Sequence, residues 1–245
     1  WDAGSSNVTN TQGSITSTVR ANASAGFSIV TYTGNLSGSG TSTVGHGLGV
    51  APSMVITKKR SGTSAWTVQH KSLATANTLI DLNSTAATYT SAYGTIVAPT
   101  SSVFTIAWLT SMGDSGADYV AYCFAPVAGY SAFGSYTGNG SADGPFVYTG
   151  FRPRWIMIKR TDTAGYDWII FDALRLGYNY VATYLRANLS NAEGTDPAPG
   201  TGSWAIDILS SGFKHRDASG TLNSASATYI YAAFAENPFS ISRAR

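Results

Sequence analysis

Short apolar runs bounded by Gly, Ser, Asn and Asp recur along the whole chain, and their spacing predicts strands joined by turns. "FSIVTY", "SMVITKK", "WTVQH", "VFTIAW" and "DYVAYCFA" fall in the first half, and "FGSYTG", "RWIMIKR", "DWIIF", "AIDILSSGFK" and "TYIYAAFA" in the second. Several alternate apolar with polar residues, as a strand with one wet face must. "WIIF" and "YIYAAFA" are continuous and predict strands covered on both faces. The one stretch with any helical character is "ALRLGYNYVATYL", Ala173–Leu185, and Gly177 together with its β-branched residues weakens it.

The runs also come twice. "TYTGNLSGSGTSTVGHGLGVAPSMVITKK" from Thr31 is followed, about a hundred residues later, by "SYTGNGSADGPFVYTGFRPRWIMIKR" from Ser135. Tyr32 pairs with Tyr136, Pro52 with Pro153, Lys58 with Lys159, Trp66 with Trp168, Phe104 with Phe213, Tyr119 with Tyr229 and Phe124 with Phe234, all in one order. A repeat of that length is a typical domain. The expected fold is therefore all-β, two tandem antiparallel β-sandwiches of jelly-roll or lectin-like kind from an internal duplication. The expected boundaries are 1–26 for the end of a preceding unit plus a Ser/Thr/Asn-rich linker, 27–128 for the first sandwich and 129–245 for the second. Trp1 is expected to be the last core aromatic of that preceding unit.

Composition narrows the chemistry. Fifteen Lys+Arg oppose thirteen Asp+Glu, and only 11% of the residues are charged. Without a basic patch there are few counterions to release, so no nucleic-acid partner is expected. No apolar run approaches the ~18 residues of a membrane helix, so no membrane insertion is expected. Cys123, the single cysteine, cannot form an intramolecular disulfide, and its repeat partner Ala233 points to a small buried group.

Duplication separates fold from site. Residues held in both halves serve the shared fold, and residues that differ are free for other work. Under that filter the paired aromatics and prolines are core or turn residues, while Lys58 and Lys159 sit at strand ends where a charge is ordinarily solvated. The second half adds Arg152, Arg154, Tyr166, Tyr178, Tyr180, Tyr184 and Trp204 where the first has mostly small or polar residues. Rings beside Arg, Asp and Asn suit a sugar, whose C–H face stacks while its hydroxyls find paired donors and acceptors. Asp172–Asn188 is thus the candidate ligand patch, with packing against a neighbouring chain or within the core as the alternative.

No catalytic motif emerges. Asp162, Asp167, Asp172, Glu193, Asp196 and Asp207 are numerous, but a glycosidase needs two carboxylates ~5–9.5 Å apart, a distance the sequence does not give. His70 and Asp172 occupy matching strand ends, and Asp143, Asp162 and Asp196 sit in turn contexts. His46 and His215 have no Gly-x-Ser-x-Gly elbow to serve. "GHGLG" (45–49) precedes no helix, and "DSGAD" (114–118) lacks a complete calcium spacing. No catalytic residue, metal ligand or cofactor is expected.

"GSITSTVRANASAGFSIVTYTG", "VGHGLGVAPSMVI", "DYVAYCF", "GSYTGNGSADGPFVYTGFRPRWIMIKRTDTAG" and "YIYAAFAENPF" resemble a domain that recurs, often in tandem, in tail-fibre and other virion-associated proteins of bacteriophages. The resemblance runs from about Gly13 to Phe239. It implies a place on the outside of a virion and a role in host attachment or in fibre architecture, with a cell-surface glycan as the ligand that the ring patch suits. It also implies other virion subunits as partners and a homo-oligomer, with a trimer favoured. A purely structural or capsid-decorating module and a polysaccharide depolymerase are the alternatives.

Overall fold

The computed structural model describes residues 1–176, 178–195 and 204–237. The chain divides into two compact units, Trp1–Leu82 with Thr88–Val127, and Asn83–Ala87 with Ala128–Arg245. Among the described residues every element is a strand.

The first unit contains β1 (Val8–Asn10), β2 (Ser17–Asn22), β3 (Phe27–Thr33), β4 (Thr41–Gly45), β5 (Met54–Lys59), β6 (Trp66–His70), β7 (Thr78–Asp81), β8 (Tyr89–Thr90), β9 (Val103–Ala107) and β10 (Asp118–Phe124). An antiparallel sheet runs in the order β1, β2, β3, β10, β5, β6, β7, β8, and β4 pairs with β9 in a second, smaller sheet. Val19, Val30, Tyr32, Val55, Leu79, Tyr119 and Ala121 of the large sheet share one core with Val44, Phe104 and Ile106 of the small one. Burying each large apolar side chain contributes on the order of 2–3 kcal/mol, so the two layers hold each other.

The second unit contains β11 (Ser131–Thr137), β12 (Phe146–Tyr148), β13 (Pro153–Arg160), β14 (Ile169–Asp172), β15 (Thr183–Arg186), β16 (Gly194–Thr195), β17 (Ile206–Leu209), β18 (Gly212–His215) and β19 (Thr228–Ala235). One sheet has the order β11, β19, β13, β14, β15, β16, the other β12, β18, β17. The order matches β3, β10, β5, β6, β7, β8 of the first unit. β19 is buried from Tyr229 onward, as its unbroken apolar run predicts.

Both units share one central device. Tyr32 and Tyr119 face each other across β3 and β10 and stack at 5.3 Å and 19°. Tyr136 and Tyr229 do the same across β11 and β19, at 4.8 Å and 8°. Tyr119 Oη donates to the Thr110 carbonyl (3.1 Å) and accepts from Asp114 N–H (3.0 Å), while Tyr32 Oη donates to Met112 O (2.8 Å). In the second unit Tyr229 Oη bridges Gly220 O (3.0 Å) and Ser224 N–H (2.9 Å), and Tyr136 Oη donates to Leu222 O (2.7 Å). The adjoining "YTG" glycines have no room for a Cβ, which would stand 2.3 Å from Asp114 O at Gly34 and 2.2 Å from Ser224 O at Gly138.

Two expectations need correction, on the linker and on Trp66. Residues 8–22 are not a linker: they pair as β1 and β2, with Ser17 and Val19 facing inward and Ile15 in the core. Ala173–Leu185 contains no helix among its described residues, because it turns at Ala173–Arg175 and then pairs as β15. Trp66 is half-buried and stacks on Tyr122 at 6.5 Å outside the core cluster, whereas Trp168 is fully buried. Trp1 packs edge-on against Phe124 at 5.5 Å and near Phe27 at 6.2 Å, while remaining 63% exposed.

Removing the Tyr119 hydroxyl strands two backbone groups, whereas removing that of Tyr32 strands one. Tyr119→Phe should therefore lower stability by about 2 kcal/mol and Tyr32→Phe by about 1 kcal/mol in urea denaturation. Tyr229→Phe should behave like Tyr119→Phe.

Candidate functional site

The seven predicted residues fall into separate local groups. Tyr184 is buried in the second core, so it is not surface for a ligand. Its ring lies 4.6 Å from Trp204, and the Arg186 guanidinium stands 5.1 Å from Tyr184 and 4.9 Å from Trp204. Asp167 holds that guanidinium at 3.0 Å and accepts from Asn188 Nδ2 at 2.7 Å. Tyr166 forms a different pair, lying under the Arg160 guanidinium at 4.5 Å.

The remaining residues surround one loop. Arg154 stands 3.8 Å from Asp172, whose Oδ1 also accepts Leu174 N–H at 3.0 Å. Asn179 then clamps β17 through both ends of its amide: Nδ2 donates to Ile208 O, and Oδ1 accepts Ile208 N–H, each at 3.0 Å. Arg152 Nη1 donates to the same Ile208 carbonyl at 2.7 Å, and its Nε pairs with Glu236 at 2.8 Å. Val181 closes the segment with paired backbone bonds to Ile206, 2.8 and 3.1 Å. The clamped loop leaves Tyr178 74% and Leu174 60% exposed, and Tyr148 on β12 is 69% exposed. Tyr180 is half-buried.

Five of the six carboxylates considered for catalysis face an arginine. Asp162 pairs with Arg160, Asp167 with Arg186, Asp172 with Arg154, Glu193 with Arg175 and Asp207 with Arg216. Asp196 lies outside the described residues. The Arg160 hydrogen bond holds the Asp162 carboxyl below the usual range, the opposite of what a general acid at neutral pH requires. Asp114 is ion-paired with Lys59 at 3.1 Å, and Asp118 accepts from Thr33 Oγ1 at 2.9 Å. His70 and Asp172 do matching work: His70 Nδ1 accepts Ser72 N–H at 3.2 Å, just as Asp172 accepts Leu174 N–H, so both cap the turn after a strand. Burial pushes the Cys123 thiol up to about 12.

Two buried ionisable groups were misjudged from sequence. Lys159 is fully buried, not solvated at a strand end; its Nζ donates to Arg160 O at 2.7 Å. Desolvation pulls its pKa down to about 8 against the partial support of Asp167 and Asp162. Lys58 keeps some exposure, donates to Ser64 O at 3.0 Å and lies 6.0 Å from the Trp66 ring. His215 is fully buried 3.9 Å from the equally buried Asp217, and burial lowers its pKa. Its repeat partner is Ile106, so the two halves differ at this position, a signal the sequence carries.

Residues 1–238 match the family described as "Domain of unknown function (DUF7483)". No curated protein and no solved structure matches the chain.

The buried ammonium has a pH signature. An unfolded lysine titrates near 10.5, and the folded one at about 8, so between those values the unfolded chain binds more protons and stability rises with pH. Below pH 8 wild type should carry the full desolvation cost relative to Lys159→Met. That difference should shift in wild type's favour by roughly 3 kcal/mol between pH 8 and 10.5 in urea denaturation series.

Proposed function

The chain belongs to the DUF7483 family over residues 1–238, and we propose that it is an exposed part of a bacteriophage tail fibre or related virion appendage that attaches to a host-surface glycan. In this reading the protein acts by binding, without catalysis, as one copy in a homo-oligomer joined to other virion subunits. The two units descend from one duplicated sandwich. Their matching strand order and matching tyrosine hydroxyl bonds support that descent.

The observation that carries the attachment reading is the clamped loop of the second unit. Asn179 hydrogen-bonds Ile208 through both ends of its amide, so the exposed Tyr178 stands next to an anchored residue. Preorganisation matters because a sugar offers little apolar area, and ordering a loose loop would cancel much of the gain. Arg152 and Arg154 flank the loop with exposed edges, able to donate to hydroxyls without giving up their carboxylates. A charge-poor surface rich in Ser, Thr and Asn suits the same neutral partner. The resemblance to virion appendage domains supplies the setting.

Tyr178→Ala removes an exposed ring and no core contact, so the melting temperature should stay within about 2 °C of wild type. Binding to host cells and to a glycan array should fall at least about tenfold. Unchanged binding, or an oligomer that dissociates in the variant without any glycan binding by wild type, would point to a structural fibre segment instead.

A further inference from the structure

We propose that the outer face of the second unit's smaller sheet binds a neutral oligosaccharide, with Phe146 and Tyr148 stacked on two of its sugar rings. β12 turns Val147 into the core and presents Phe146 and Tyr148 on the opposite face, where they are 47% and 69% exposed. Across the ladder Phe146 stands in line with Lys214 and Asp207, and Tyr148 with Gly212 and Leu209. Gly212 brings no side chain, and a Cβ there would stand 2.9 Å from Phe146 Cζ, so the phenyl ring leans over the glycine. An apolar strip thus lies beside a polar row on one sheet.

The first unit closes the same ground with its own chain. β4 pairs Val44 with Phe104 as β12 pairs Val147 with Phe213, so Thr43 and Gly45 stand where Phe146 and Tyr148 do. Ser14 N–H bonds the Thr43 hydroxyl at 2.9 Å, Ile15 N–H bonds the Thr43 carbonyl at 3.0 Å, and the Asn10 side chain leaves no room for a Cβ at Gly45. A tyrosine at Gly45 would collide with that covering segment. In the second unit only Ala125–Tyr130 separate β10 from β11, too short a link to carry a hairpin like β1 and β2. Two outward rings stand there instead, and exposed rings gain most of their energy only when something covers them.

Size and charge select what covers them. At those exposures the two rings offer roughly 250 Å² together, against the ~800 Å² per partner that a stable protein interface needs. Lys214 Nζ pairs with Asp143 at 2.8 Å and Arg216 Nε with Asp207 at 2.6 Å, so the polar row holds two cations and two carboxylates and has no net charge. Such a row does not draw a phosphate or sulfate, yet it offers hydroxyls both donors and acceptors. The Asp143 side chain is 80% exposed and that of Lys214 26%, so both can reach a bound molecule. A sugar matches both halves of the face, its C–H side on the rings and its hydroxyls on the row. Two rings side by side accommodate two sugar residues, so a chain and not a single sugar is the ligand. The surface rests on the attachment reading for its setting, but its chemistry is its own.

The test uses the full chain with soluble cellohexaose, maltohexaose, laminarihexaose and xylohexaose, and glucose as the single-sugar control, by isothermal titration and saturation-transfer NMR. Wild type should bind at least one hexasaccharide about tenfold or more tighter than glucose, with ring C–H protons receiving the strongest saturation. Tyr148→Phe keeps the ring and should hold that affinity within about threefold, whereas Tyr148→Ala should weaken it about tenfold. Phe146→Thr, which installs the first unit's residue, should weaken it likewise, and all three variants should melt within about 2 °C of wild type. No binding of any hexasaccharide, binding no tighter than that of glucose, or undiminished binding by a folded Tyr148→Ala chain would overturn the surface. So would sedimentation equilibrium showing an oligomer that dissociates in Tyr148→Ala while wild type binds no sugar, which would assign the rings to a subunit contact. Host-cell adhesion measured on the same proteins separates the two readings: adhesion without hexasaccharide binding overturns the sheet surface alone, and hexasaccharide binding that depends on Tyr148, without adhesion by wild type, overturns attachment alone.

Discussion

Two tyrosines stacked across neighbouring central strands hold each unit together. Their rings fill the space between the layers, and their hydroxyls reach the chain that returns from the second layer. That segment would otherwise bury several backbone groups without partners, at a cost of about 1–3 kcal/mol each. With Tyr119 satisfying Thr110 and Asp114, and Tyr32 satisfying Met112, the turn is fixed against the sheet. The glycine after each "YT" pair then lets the two backbones touch. The two layers close over the core because this contact sets their separation.

A chain with few charges has to place them carefully. In the second unit arginines are held by carboxylates, and those guanidiniums also cover rings, as Arg160 covers Tyr166 and Arg186 covers Tyr184 and Trp204. Such pairs order loops that contain little apolar material. At Asp162 the Arg160 neighbour also favours the ionised form, which does not suit a general acid. Lys159 and His215 are the exceptions, buried groups whose charged forms are disfavoured by desolvation.

Within a common frame, the units diverge where the frame tolerates it. Gln69 stands opposite Phe171, Ile106 opposite His215, and the short turn after His70 opposite the longer clamped loop after Asp172. The first two exchanges lie at buried strand positions and the third in a loop, and in both units the stacked tyrosines and central strands are kept. Loops can therefore specialise without unfolding the scaffold that presents them.

Much was legible along the chain itself. Each quoted apolar run falls on a strand, except that "AIDILSSGFK" spans the β17–β18 hairpin, because period-two alternation and turn residues are local properties that folding preserves. The pairing of tyrosines and the antiparallel all-β class followed from the same pattern. Less legible were β1 and β2, since a Ser/Thr-rich strand looks like a linker until a partner strand buries its Val19. The proposed binding residues were the least legible. Identity and spacing alone do not distinguish a tyrosine in the core, such as Tyr184, from one at the surface, such as Tyr178. Nor do they separate a solvated Lys58 from a buried Lys159, or reveal that the Gln69 amide is held by a carbonyl from the other layer. Sequence by itself determined the strands, their repetition and the neutral surface, because those depend on neighbours in the chain. Only the tertiary structure decided which polar groups were buried, paired or left open, because that depends on which distant strand packs against them.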